Sequence, residues 1–451
     1  MQPGEIYKLF KEALPQIDLR GPEKLASLEP GFDPDNLKAG VMALPASMVE
    51  LRSILKFCAL YGLGVVPQGG RTGLAGGAVS QAGQVIIAMH RMNRIHHIDP
   101  AARVAIVEVG VTLAELQAAT AEEGLSPGID LGARDTATIG GMISTNAGGI
   151  EAFRHGVMRA RVLGLEAVLA DGTVVSDMTQ VGKCNEGLDV KQLFIGAEGT
   201  LGVVTRAVIK LAPLPVTRTT ALVAMADASR AVELFNGLSR DGKLLAFELM
   251  NRRYFRLAAE ARDETQLAAL AEQGMVFIIE MESEGLAALE QAIENGQVAD
   301  ALIAKSAEEA RRFWVLREDS WVVDRAFPHC LWFDVTVPLS ALDFYLVSLD
   351  EGLAQLPTPC LAYVIGHLGD GNLHLTIAAR APLDELKPAI EELVYDGLKA
   401  MGGSFSAEHG IGLEKRDALA RLGDAGKLAT MKAVKQALDP RGMMNPGKVT
   451  P

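Results

Sequence analysis

A chain of 451 residues is too long for a single compact core, and the usual domain size predicts two or three domains. With 49% apolar and 22% charged residues it can fill a large core, which excludes a disordered polypeptide. The net charge of −13 argues against a nucleic-acid partner, and no apolar run reaches the ~18 residues of a membrane-spanning helix. Cys58, Cys184, Cys330 and Cys360 lie far apart and form no Cys-x-x-Cys, so free thiols in a reducing cytoplasm are expected rather than disulfides or a zinc ribbon. Met1 to Leu14 is charged and amphipathic, without the apolar segment of a signal peptide.

Residues 1–36 read as a short helix and a Pro- and Gly-marked arm. Val49, Leu51, Ile54, Leu55, Phe57 and Cys58 recur at helical spacing, predicting a helix over 48–61 that Gly62 stops. Short buried strands are predicted at 65–66, 85–87 and 104–107, and glycines crowd the stretch from Gly62 to Gly202. Beyond Leu211 to Pro215 glycine thins out, and Ala/Leu/Glu-rich helices alternate with strands such as 276–279. The expected domains are therefore 1–36, 37–215, 216–410 and a returning segment 411–451.

Three glycine-rich segments carry the first functional signal. Pro67-Gln-Gly-Gly-Arg-Thr-Gly-Leu-Ala-Gly-Gly77 follows a predicted strand, and its converging backbone N–H groups form a nest suited to a pyrophosphate. It is not Gly-x-Gly-x-x-Gly, so the nicotinamide fingerprint is absent. The second segment runs from Thr138 to Gly149 and contains Ser144, Thr145 and Asn146. The third, Ile195 to Thr205, places Gly199 and Gly202 before a strand. One such loop is commonly a surface turn, whereas three in order point to a cofactor.

The second signal is Gly366-His-Leu-Gly-Asp-Gly-Asn-Leu-His-Leu-Thr376. Asp-Gly between alternating apolar residues predicts a two-residue hairpin loop at 370–371, with His367 directly opposite His374. Asn372, His374 and Thr376 then share that face. In Ser406-Ala-Glu-His-Gly-Ile-Gly412 a carboxylate adjoins an imidazole, so Glu408 could complete a metal site while His409 points at substrate. Two histidines and one carboxylate leave coordination positions open for catalysis. His90, His96, His97, His155 and His329 have no partner at ligand spacing. Arg317, in Phe313-Trp-Val-Leu-Arg-Glu318, has the side chain suited to a bidentate carboxylate grip, although alone it reads better as a solvated helix arginine. Gly442 to Lys448 lacks the Ser or Thr and the helix of a P-loop.

Together, Pro-x-Gly-Gly-x-Thr-Gly, Thr-Asn-Ala-Gly-Gly and Gly-x-Glu-Gly-Thr-Leu-Gly resemble the FAD domain of the vanillyl-alcohol-oxidase superfamily. Within it the chain is most similar to the branch that holds glycolate oxidase, D-lactate dehydrogenase and D-2-hydroxyglutarate dehydrogenase, from about residue 40 onward. The resemblance implies an α+β fold: a two-subdomain FAD-binding domain and an α/β substrate (cap) domain with an antiparallel sheet. It assigns FAD contacts to Pro67, Gln68, Gly69, Gly70, Arg71, Thr72 and Gly73, to Pro127, Asp130, Gly140, Gly141, Ser144 and Asn146, to Glu198, Gly199, Gly202, Val203 and Val204, and to Asn445. Several members tether the flavin through a histidine in the first loop; this loop has none, so the FAD is expected to be non-covalent. Met142 stands where many relatives carry Asn.

The resemblance further implies His367, His374 and Glu408 as ligands of a divalent metal, zinc first with manganese or iron as alternatives. It makes His409 the general base and Arg317 the grip on the substrate carboxylate. The acceptor it favours is an electron-transfer flavoprotein, quinone or cytochrome, and it allows a homodimer. D-2-hydroxyglutarate enzymes place a Lys before a Tyr-Asp-x-Ser-x-Pro strand, where this chain has Trp332-Phe-Asp-Val-Thr-Val-Pro338. Thr376 replaces their Asn, and Trp321 is expected one helical turn beyond Arg317. A short or apolar D-2-hydroxy acid such as D-lactate is therefore expected over the dicarboxylate, unless Arg325 or Lys305 supplies the missing cation. Two rival readings are an NADPH-dependent flavoprotein reductase, which has no use for a His-His-Glu site, and a non-catalytic flavin- and metal-binding component of a glycolate-oxidase-like complex.

Overall fold

The helix Met48–Tyr61 shows how local chemistry sets the first elements. Ser47 Oγ accepts from the Glu50 N–H (3.3 Å), and Gly62 at φ +65° closes the far end in the left-handed region. Leu51, Ile54, Leu55, Phe57 and Cys58 are buried, while Val49 lies off that face at 69% exposure. In the computed structural model, residues 1–450 are described, and they fall into two compact units. The first comprises 1–149, 155–214 and 408–450; the second comprises 150–154 and 215–407.

The first unit holds two main sheets. Asp18–Arg20, Met42–Leu44, Val85–Ala88 and Val65–Gln68 form one, in that order. The N-terminal arm is therefore not only helix and loop, since its Asp18–Arg20 pairs antiparallel with Met42–Leu44. Ile95–Asp99, Val104–Glu108, Val203–Lys210, Val162–Val168 and Val174–Asp177 form an antiparallel five-stranded sheet. The second glycine-rich segment contains a helix, Ile139–Thr145, that its composition disguises. Thr138 Oγ1 accepts from the Gly141 N–H (3.3 Å), and Asn146 at φ +55° ends the helix. These two caps outweigh the poor helix propensity of adjacent glycines.

The second unit is built on a seven-stranded antiparallel sheet. Its order is Asp300–Ile303, Thr219–Met225, Met275–Met281, Leu244–Met250, Cys360–His367, Asn372–Ala379 and His329–Thr336. Phe235, Phe247 and Phe277 meet edge to face in the core, with ring centroids 5.6–5.9 Å apart. Tyr254, Phe255, Phe313 and Leu316 belong to a second buried cluster, which seats the helix Ala307–Glu318. Each such side chain contributes about 1.5–3 kcal/mol on burial, enough to hold the last turn of that helix, and Arg317 with it, inside the unit.

The Asp-Gly hairpin is longer than expected. His367 pairs with Asn372, and His374 pairs with Ile365, so the loop is 368–371 rather than 370–371. Leu368–Asp370 make a 3-10 turn, Asp370 Oδ1 accepts from the Asn372 N–H (3.2 Å), and Gly371 closes the turn at φ +74°. A Cβ at Gly371 would lie 2.0 Å from the Val337 carbonyl oxygen, so only glycine fits. The two histidines still share a face, because lengthening the loop by one residue pair shifts the pairing by an even number and side chains alternate with period two.

Candidate functional site

The glycine-rich segments meet within the first unit around a cleft of about 1030 Å³ that is open to solvent. Pro67, Gln68, Gly69, Gly70, Arg71, Thr72, Gly73, Gly140, Gly141, Ser144, Glu198, Gly199, Gly202, Val203 and Val204 line it, and so does His409. A Cβ at Gly70 would fall 1.9 Å from the Thr136 carbonyl oxygen, which explains why the loop can lie flat against the 136–141 segment. Gln68 is buried and gives both amide hydrogens to the carbonyls of Asn36 and Ala78 (2.7 Å each), while its Oε1 is a buried acceptor without a partner. A cofactor N–H or hydroxyl would satisfy that oxygen. The cleft therefore fits a dinucleotide such as FAD by its backbone nest and acceptor chemistry.

Four expected flavin contacts are not among the residues lining the cleft, and each is engaged by other protein groups. The Pro127 carbonyl accepts from Arg161 Nε (3.0 Å). Asp130 is ion-paired with Arg134 (2.8 Å). Asn146 terminates the helix and its Oδ1 accepts from the Arg159 N–H (2.9 Å). Asn445 is buried, donating to the carbonyls of Gly77 (3.0 Å) and Glu198 (2.7 Å) and accepting from Lys448 (2.6 Å). Burial lowers the Lys448 ammonium to about 8, against the opposing pull of the Glu198 carboxylate. Asn445 thus ties the returning C-terminal segment to the walls of the cleft. Glu198 carries the same segment: its carboxylate accepts from the N–H groups of Ile411 (2.7 Å) and Gly412 (3.0 Å), two and three residues after His409.

The hairpin histidines define the polar site of the second unit. His367 and His374 offer nitrogen atoms within 4.8 Å of each other, and their rings stand 5.4 Å apart at 88°. Strand pairing puts Glu248 opposite His367 and Asp334 opposite His374. Glu248 Oε1 lies 2.8 Å from His367 Nδ1, and Asp334 Oδ1 lies 3.5 Å from His374 Nδ1. An ionised carboxylate only accepts, so the His367 imidazole donates from Nδ1 and turns Nε2 into the ligand atom, while Asp334 stands behind His374 Nδ1 at ion-pair distance. Carboxylate–imidazole pairs of this kind orient metal-binding histidines and raise their basicity. Asp334 is completely buried and also accepts from Asn372 Nδ2 (2.9 Å) and the Ala407 N–H (3.1 Å). Glu408 is the residue after Ala407, so chain connectivity alone keeps its Cα about 3.8 Å from the Ala407 Cα. Within the first unit the Glu408 carboxylate accepts from the Gly149 N–H. The donor set fits a divalent metal.

Arg317 is not the solvated helix residue its isolated sequence suggests. It is 8% exposed, its Nη2 lies 2.8 Å from Glu248 Oε2, and its Nε is buried without a hydrogen-bond partner. The Nη2–Oε2 contact is a close ion pair without hydrogen-bond alignment, since Oε2 makes no hydrogen bond either. Burial raises the Glu248 carboxyl, but the neighbouring charges of His367 and Arg317 outweigh this and hold it below the ordinary range. Glu248 and Asp334 escape a reading of the sequence alone. Glu248 stands in Leu244–Met250, a nearly continuous apolar strand, where a lone acid is the signal that could have found it.

Trp332 and Thr376 are register partners, and period two places them on the face of Asp334 and His374. Trp332 is 54% exposed and meets Trp321 edge to face at 5.9 Å. Trp321 is not a helical turn beyond Arg317, because the helix ends at Glu318. Asp319 follows it and is held by Arg262 (2.8 Å) and Arg325 (2.7 Å). Lys305 follows Asp300–Ile303, at the opposite edge of the sheet from His329–Thr336.

A cofactor cleft of this kind and a two-unit α+β fold define an FAD-binding oxidoreductase, and comparison with known proteins agrees. Residues 39–177 match the family model described as FAD binding domain, and residues 214–449 match FAD linked oxidases, C-terminal domain. The "Probable D-2-hydroxyglutarate dehydrogenase, mitochondrial" of Oryza sativa subsp. indica is 36% identical over 91% of this chain and 75% of that protein. The "D-2-hydroxyglutarate dehydrogenase" of Xanthomonas citri is 32% identical over 90% and 88%. Among solved structures, p-cresol methylhydroxylase superposes with a TM-score of 0.75 at 18% identity, covering 99% of this chain and 96% of that one. Alkyldihydroxyacetonephosphate synthase gives 0.68 at 17% identity, covering 91% and 77%. These two share the fold of the vanillyl-alcohol-oxidase superfamily. The chain belongs to the FAD-linked D-2-hydroxy-acid dehydrogenase family.

Proposed function

We propose that this protein oxidises a short or apolar D-2-hydroxy acid to its 2-oxo acid, using non-covalent FAD and a divalent metal held by His367, His374 and Glu408. The observation that carries the metal is the pair of same-face histidines, each backed at Nδ1 by a buried carboxylate. Bound FAD supplies the acceptor for the hydride that leaves C2. A metal on these ligands supplies a Lewis acid that makes the 2-hydroxyl more acidic, zinc being the first choice and manganese or iron the alternatives. Arg317 grips the substrate carboxylate with the donor edge that Glu248 leaves over. His409, on the wall of the flavin cleft, takes the hydroxyl proton. The four cysteines, all free thiols, accord with a reducing compartment such as the cytoplasm. Electrons then pass to a flavoprotein, quinone or cytochrome.

The curated relatives are named for D-2-hydroxyglutarate, which makes the dicarboxylate the second reading. Three features of the second unit favour the first. Trp332 stands where a cation is needed, Trp321 packs against it, and Arg325 is committed to Asp319. Trp332 Nε1 donates to Asp324 Oδ2 (3.4 Å), so the side chain it is bonded to is acidic. A distal carboxylate there would meet two indoles and an acidic side chain rather than a cation.

Anaerobic mixing with a panel of D-2-hydroxy acids tests the proposal. Bleaching of the flavin by D-lactate or D-2-hydroxybutyrate without NADPH supports it; bleaching only by NADPH supports the reductase, and no bleaching supports the non-catalytic component. In steady state the short acids are expected to show the higher kcat/KM, and Trp332→Lys to shift preference toward D-2-hydroxyglutarate. A tenfold preference of the parental enzyme for the dicarboxylate, about 1.4 kcal/mol of transition-state binding, would sink the argument from Trp332.

Flavin attachment has its own test. Among the described residues His409 is the one histidine lining the cleft, and the reading above uses it as a base rather than a tether. Acid precipitation should therefore release FAD into the supernatant. Yellow colour retained in the pellet would show a covalent link.

A further inference from the structure

We propose that Glu248 is a positioning residue that couples the metal ligand His367 to the substrate arginine Arg317, so that metal affinity and grip on the substrate carboxylate are linked. The inference rests on the metal and arginine assignments proposed above. Its basis lies entirely within the second unit. Glu248 is 1% exposed and uses one oxygen for each neighbour, Oε1 at 2.8 Å from His367 Nδ1 and Oε2 at 2.8 Å from Arg317 Nη2. Strand pairing fixes the first contact, and the last turn of Ala307–Glu318 fixes the second.

The two carboxylates behind the histidines are not equivalent. Asp334, behind His374, is satisfied by the Asn372 amide and the Ala407 N–H. Glu248, behind His367, faces a guanidinium. A full positive charge draws electron density from Glu248 and weakens its pull on the imidazole N–H. When a substrate carboxylate occupies Arg317, that cation is partly neutralised and Glu248 acts more strongly on His367. His367 becomes a better ligand at the moment the substrate arrives. Reciprocity requires that bound metal strengthen substrate binding by the same factor.

Zinc affinity, measured by chelator competition on the full-length flavoprotein without substrate, reads this directly. Glu248→Gln removes the charge that raises the basicity of His367 and is expected to weaken zinc binding about 10–100-fold, the usual effect of losing such a partner. Arg317→Met removes the opposing cation and is expected to tighten it several-fold, while Arg317→Lys keeps the charge and should bind zinc as the parent does. A merely structural ion pair predicts weaker zinc binding in both Glu248→Gln and Arg317→Met. Since the FAD cleft lies in the other unit, folding of each variant is read from a parental far-ultraviolet circular dichroism spectrum and a parental cooperative calorimetric melt. Should Glu248→Gln fail to fold, Glu248→Asp replaces it, since the shorter carboxylate cannot reach both partners and should also weaken zinc. Zinc affinities of parent and Glu248 variant within twofold, or a fall in Arg317→Met, overturn the coupling. A parent that binds no zinc at all overturns the metal assignment as well, which separates the two failures.

Discussion

His409→Ala is expected to retain stoichiometric FAD and metal yet slow anaerobic flavin reduction by about 10²–10⁴-fold, the range for a lost general base. The expectation follows from where the side chain sits. His409 lines the flavin cleft, and the backbone just beyond it is clamped independently of its imidazole by the Glu198 carboxylate, through Ile411 and Gly412. Removing the ring therefore leaves that clamp in place and deletes the proton acceptor. Stopped-flow mixing with the best D-2-hydroxy acid measures the rate. A variant reduced at the parental rate would move the base to another residue.

Loss of metal should have the second large effect. His367→Ala, His374→Ala and Glu408→Ala are each expected to lack stoichiometric metal and substrate-driven flavin reduction, while the visible flavin spectrum stays parental. His374→Ala is the cleanest of the three. Its ring is half-buried, and Asp334 keeps hydrogen bonds from Asn372 and Ala407 when the imidazole is gone, so the buried carboxylate is not orphaned. His367→Ala leaves Glu248 facing Arg317. The flavin spectrum should not respond because residues 67–73, 140–144 and 198–204 hold the cleft without help from the hairpin strands. Elemental analysis decides the matter: full metal in all three variants would overturn the ligand assignment. Treatment of the parent with a chelator should reproduce their phenotype.

Much of this is legible in the sequence because its signals are local. Helix Met48–Tyr61 announces itself through its apolar spacing and Gly62, both within one segment. The three glycine-rich segments advertise close backbone approach, the Asp-Gly pair a hairpin, and Glu408-His409 an acid beside a base. Parity explains why the two histidines share a face as expected although the loop is longer than expected: a shift of pairing by two residues preserves facing, whereas a shift by one would have separated them. Composition misleads at Ile139–Thr145, where adjacent glycines read as loop while Thr138 and Asn146 cap a helix.

Tertiary structure alone decided which groups stand behind the site. Glu248 reaches His367 across 119 residues of chain, and nothing near either residue encodes that partnership. Arg317 becomes a buried, paired group only because Phe313 and Leu316 sink the last helical turn into the core. Pro127, Asp130, Asn146 and Asn445 make contacts with other protein groups, most of them from distant segments, that their sequence neighbours do not announce. Local propensity and spacing specify the elements and the functional residue types. Strand pairing between residues far apart in sequence specifies register, burial and charge neighbours, and these set how strongly each of those residues can act.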